Sequence, residues 1–148
     1  MRQANDFSVE SLSDNKAGRR HLFFKGKNTG ISIHGERVTL QYEVSRGYLI
    51  ATDKDSYDGV GNWFYLISPD LQVLDAVGPP DSYGFIQNVS LANAEQISFS
   101  FFGSGNKWAL SVLPEPVFSF SRSHLRCRLN RYLFSSSRYL QLTSMAAH

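Results

Sequence analysis

The chain has 148 residues, 42% of them hydrophobic and 19% charged, with a formal net charge of +2. That balance excludes global disorder, and the length suits one domain burying roughly 70% of its unfolded surface. The single cysteine, Cys127, excludes an intrachain disulfide framework and a cysteine-rich zinc site, and no apolar run reaches the ~18 residues of a membrane span. The first twenty residues lack the apolar core of a signal peptide, which makes a cytoplasmic location the expectation.

Residues 1–20 are polar and set apart from a single sheet-rich domain expected over 21–148, with a short helical turn or a mobile stretch around Phe7-Ser8-Val9-Glu10. With 11 Phe, 7 Tyr and 2 Trp, and few helix-favouring residues, the rest reads as strands. Leu22-Phe23-Phe24 is a short apolar run, and Asn28-Thr29-Gly30 offers a turn. Val38, Leu40, Tyr42 and Val44 alternate with polar residues, the pattern of a half-buried strand.

Tyr48–Thr52, Trp63–Ile67 and Leu71–Val77 are three further strands, the last two joined by Ser68-Pro69-Asp70. Between the first two lies DKDSYDGVGN, read as an acidic loop. Phe85–Leu91 follows the break at Gly78-Pro79-Pro80. Ile97, Phe99 and Phe101, then Trp108, Leu110 and Val112, alternate on either side of Gly103-Ser104-Gly105-Asn106, which is a hairpin signal. Leu113-Pro114-Glu115-Pro116 is expected to end that hairpin, and Val117–Phe120 to resume the sheet. Leucines 125, 129 and 133 favour a helix over 122–134, while the alternation of Leu125, Cys127 and Leu129 would equally suit a strand; Arg138–Leu142 reads as a last strand. The fold expected is mainly β: an antiparallel meander forming a sandwich, a barrel or one strongly curved sheet. A C-terminal helix would make it α+β.

Few catalytic or metal-binding patterns come close. Asp53, Asp55, Asp58 and Gly59 resemble part of a calcium loop, but Asp58 falls one residue late and Phe64 holds the closing acid's position. His21, His34, His124 and His148 form no metal pair, and His124 with Cys127 is read as a surface histidine beside a buried thiol. No phosphate-binding glycine motif precedes a helix, so neither cofactor nor metal is expected. Gly61-Asn62-Trp63 resembles the Gly-x-Trp signature of the lipocalins, although that family carries it on the first strand and here several strands precede it. The resemblance implies a ligand-holding β-barrel; in such a barrel the inward set read from the alternation, Val38, Leu40, Tyr42, Val44, Phe99, Phe101, Trp108 and Leu110, would line the cavity.

Charge is unevenly spread. Residues 1–54 carry nine Lys/Arg against six Asp/Glu, residues 55–106 carry six acids and no base, and residues 107–148 carry six bases against one acid. Asymmetry of this kind speaks to association. The arginines of the tail could meet phosphates, but the acidic middle argues against nucleic acid. The expected function is therefore non-enzymatic: an immunity or inhibitor protein that neutralises a basic toxin or effector. Its binding surface would use Asp53, Asp55, Tyr57, Asp58, Trp63, Asp70, Asp75, Asp81 and Tyr83, with aromatics as anchors and acids steering the partner. A barrel holding a small molecule or lipid is the alternative.

Overall fold

A computed structural model describes residues 1–10, 20–78, 84–118 and 137–145. Their strands are β1 (Arg2–Gln3), β2 (Phe7–Glu10), β3 (Arg20–Phe24), β4 (Lys27–Ile33), β5 (Arg37–Val44), β6 (Gly47–Ser56), β7 (Gly59–Ile67), β8 (Val73–Val77), β9 (Ile86–Asn93), β10 (Gln96–Phe101), β11 (Lys107–Phe118) and β12 (Ser137–Met145). They form three antiparallel sheets, ordered β1-β5-β6-β7-β8, β12-β11-β10-β9 and β2-β3-β4. No helix occurs among the described residues, and so none is long and apolar enough to cross a membrane. The helix expected over 122–134 lies outside the described residues, as do Ser119 and Phe120 of the resumed strand.

The five-stranded sheet lies in the middle. Alternate residues of each of its strands point to opposite faces. Leu49, Ala51, Phe64, Leu66 and Val77 pack against Ile97, Phe99, Phe101, Leu110, Val112 and Leu140 of the four-stranded sheet. The intervening Ile50, Tyr65, Ile67 and Ala76 pack against Phe7, Leu22 and Ile33 of the three-stranded sheet. This is why β6 and β7 are apolar at consecutive positions instead of alternate ones. Each large side chain withdrawn from water here contributes about 1.5–3 kcal/mol.

Of the architectures considered, the sandwich-like one forms, because none of the three sheets closes on itself. The residues expected to line a barrel cavity fill space instead. Phe99 and Phe101 meet edge to face at 5.4 Å, Phe101 and Trp108 at 5.8 Å, and Val38 packs on the opposite face of the central sheet from the others.

Local expectations are corrected at three places. Residues 7–10 are a strand, since Phe7 is buried and rests 4.8 Å from Phe24 and 5.1 Å from Tyr48. The Gln41 side chain ties this strand to β5, accepting from Phe7 N at 2.9 Å and donating to Phe7 O at 3.1 Å. The turn after Phe24 falls at Lys25-Gly26, both at positive φ (50° and 76°), and not at Asn28–Gly30, which belong to β4.

The prolines do not end β11. Val112 pairs with Leu140 and Val117 with Arg138, so residues 113–116 bulge opposite Tyr139 alone. Proline is tolerated in a sheet at such a bulge. The Leu113 carbonyl accepts from Arg46 Nε at 3.2 Å, and the Arg46 guanidinium lies 4.7 Å over the Tyr139 ring. Asp75, only 1% exposed, reaches across from the central sheet. Its Oδ2 accepts from Tyr139 N and Leu140 N, both at 2.9 Å, while Oδ1 accepts from Ala76 N at 2.8 Å.

Replacing Asp75 with Ala strands these amides in an apolar seam and is expected to cost about 3 kcal/mol or more, read from the urea midpoint. A loss under roughly 1 kcal/mol, the worth of one ordinary hydrogen bond, would show that the carboxylate does not hold the seam.

Candidate functional site

The central sheet is longer than its neighbours at one end. Pairing of β5 with β6 stops at Arg37–Asp53, and pairing of β7 with β8 stops at Phe64–Val77. Pairing of β6 with β7 continues from Asp53–Asn62 out to Ser56–Gly59. A two-stranded arm therefore projects past the strands on either side. The chain reverses through Tyr57 and Asp58, with Gly59 at φ 123° completing the turn and its carbonyl accepting from Ser56 Oγ at 2.9 Å. Every residue from Lys54 to Asp58 is exposed, and the Tyr57 ring is free on all sides. The stretch read as an acidic loop is thus mostly ladder, with a two-residue tip.

Asp53 sits at the root of this arm and is 2% exposed. A buried carboxylate needs a partner. Arg37, directly opposite on β5, supplies two parallel bonds, Nε to Oδ1 at 2.7 Å and a terminal nitrogen to Oδ2 at 2.9 Å. The hydrogen bond to Asp53, then its charge, raises the Arg37 pKa above the ordinary arginine value. The other side of the guanidinium lies 5.3 Å over the Phe85 ring, and Phe85 O accepts from Phe102 N at 2.8 Å. Asn62 Nδ2 donates to Gly84 O at 3.1 Å. The segment arriving at the four-stranded sheet is thereby anchored beside the arm, and it brings Phe85 and the 69%-exposed Phe102 to this end of the molecule.

The nine expected contact residues separate into groups. Asp55, Tyr57 and Asp58 come together on the exposed arm. Asp53 and Asp75 are withdrawn from the surface because their carboxylates satisfy Arg37 and the β12 amides. Trp63 is half-buried, stacked on His34 at 5.5 Å and 21° and folded over Gly61 of its own strand. The Gly-x-Trp resemblance therefore marks a tryptophan shielding a glycine in an open sheet. Asp70 is exposed in the β7–β8 turn, where its carboxylate accepts from Ser68 Oγ at 2.6 Å. Asp81 and Tyr83 lie outside the described residues. No cluster of three or more His, Cys, Asp or Glu able to hold a metal occurs among the described residues.

Arg37, Phe85 and Phe102 were not legible as site residues. The signal for Arg37 was its place as the first residue before the Val38–Val44 alternation, but its partner follows only from the β5–β6 register. Comparison with protein-family models, curated proteins and solved structures finds no match to this chain.

Two outcomes are expected. The Arg37→Ala variant should be less stable than Arg37→Ala/Asp53→Ala, since removing the carboxylate as well relieves an uncompensated buried charge. The opposite order in thermal unfolding would mean that Asp53 is hydrated without Arg37. Asp70 has its pKa lowered, first by the Ser68 hydroxyl and then by its own backbone amide. Its contribution to stability is thus present above the pKa of an unfolded aspartate and lost as pH falls through the lower folded value. NMR titration should find Asp70 below the ordinary aspartate range and find it raised in Ser68→Ala; an unchanged value there would remove the hydroxyl as the cause.

Proposed function

We propose that this protein is a non-enzymatic binding domain whose acidic arm engages a basic protein partner. Within that class we favour an immunity or inhibitor protein that neutralises a toxin or effector. The supporting observation is the arm itself, which projects beyond its neighbouring strands and presents Asp55, Tyr57 and Asp58 to solvent. An exposed tyrosine flanked by carboxylates combines an anchor with long-range attraction for a basic surface. Phe85 and Phe102 extend the apolar part of the same end, and the bidentate pair at the root holds the arm's base rigid, which lowers the ordering cost of binding. The lone cysteine suits a reducing compartment, and a cytoplasmic location belongs to the proposal.

The test is a pull-down from the native host with the full chain and with Tyr57→Ala/Asp55→Lys/Asp58→Lys. A basic protein should be retained by the unaltered chain, released by added salt, and lost with the triple variant, whose unfolding midpoint should be unchanged. Tyr57→Ala alone is expected to cost about 2 kcal/mol, or roughly 30-fold in Kd. Co-expression should then relieve the captured protein's toxicity. Equal retention by the triple variant would place the interface elsewhere, and a captured partner whose activity is unaffected would remove the inhibitory role.

A further inference from the structure

The outward face of the four-stranded sheet carries an open cleft of about 280 Å³ that shares no residue with the acidic arm. Its floor follows from register. Ser100 pairs with Gln87 on one side and Lys107 on the other, and all three point away from the core that Phe99, Phe101 and Trp108 fill. Two departures from regular sheet raise its walls. On one side β9 bulges, with Asn88 at φ 54°, a conformation asparagine tolerates better than most residues. The bulge re-aims Asn88 so that its Nδ2 donates to Ser100 Oγ at 3.0 Å. On the other side the β10–β11 connection turns at Gly103, and Ser104 Oγ accepts from Asn106 N at 3.2 Å, which brings Ser104 and Asn106 to the rim.

The chemistry of the lining is specific. It holds three carboxamides, two hydroxyls and one ammonium beside Phe99 and Gly105, with no carboxylate. Lys107 ends the 52-residue stretch without a basic side chain and forms no ion pair with any described residue. Such a lining disfavours cations, which find no counter-charge. It suits a molecule with one negative group for the lysine and several hydroxyls for the amides and serines. The volume lies just below the usual range of ligand sites and equals about nine waters, room for one sugar-sized molecule.

We propose that this cleft binds a small polyhydroxylated carboxylate, of which a hexuronate unit is the type. The proposal rests on no residue of the hairpin arm. Because the cleft is open, binding is expected in the millimolar range.

The experiment is an amide-resolved NMR titration of the full chain with three probes: sodium glucuronate, glucose as its neutral twin, and acetate as a carboxylate without hydroxyls. Glucuronate should shift resonances of residues 87–88, 100 and 104–107 and saturate, with glucose and acetate each weaker by about tenfold or more, since each lacks one half of the recognition. Lys107→Met should remove the advantage over glucose, and Ser100→Val should weaken glucuronate while leaving amide dispersion elsewhere unchanged. Equal binding of acetate would reduce the site to a surface lysine and overturn the proposal. So would equal binding of glucose, shifts outside the cleft, or no shift at tens of millimolar.

Discussion

Burial of the central sheet on both faces is the constraint on which the rest depends. Antiparallel sheets commonly keep one face in water and show a clean alternation of apolar and polar residues. Here β6 and β7 spend consecutive residues on two different cores, and neither outer sheet could be lost without exposing a row of large apolar side chains. The outer sheets follow from this. The four-stranded sheet alternates Ile97, Phe99 and Phe101 inward with serines outward, and the three-stranded sheet contributes Phe7, Leu22 and Ile33 to its own seam.

The polar chemistry gathers where that covering stops. Past Asp53 and Asn62 the central hairpin continues without a strand paired on either side, and beyond Lys54, which pairs with Glu36, its exposed residues include Asp55 and Asp58. The transition is managed by the Arg37–Asp53 pair, which satisfies the last buried carboxylate, and by the Asn62 contact to Gly84, which fixes the crossing chain. The opposite problem arises at the β11 bulge, where amides of β12 face the central sheet and the carboxylate of Asp75 answers them. Two of the acids in this strongly patterned chain are thus internal fittings, which leaves a smaller and more concentrated acidic surface on the arm.

Much of the fold was legible in local pattern. The alternation at Val38–Val44, at Ile97–Phe101 and at Trp108–Val112 marks β5, β10 and β11, and the turns at Ser68-Pro69-Asp70 and Gly103–Asn106 fall where turn residues cluster. The strand at Phe7–Glu10 was hidden because four residues carry too little period, and its stability comes from Gln41 and Tyr48, far away in the chain. The continuation of β11 through two prolines was hidden for a related reason: local rules forbid it, and a bulge with partners from another sheet permits it.

For the site, the sequence by itself determined where acids and aromatics are concentrated and which stretch between Thr52 and Trp63 carries them. Composition and charge spacing are properties of the chain alone. It did not distinguish an acid that faces water from one that completes a buried seam, because Asp53, Asp55 and Asp75 look alike until register and layer order assign each a side of the sheet. Only the tertiary structure made that assignment. It placed Arg37 opposite Asp53, set Asp75 against β12, and let the β6–β7 hairpin outrun its neighbours, so that Asp55, Tyr57 and Asp58 remained exposed on the arm.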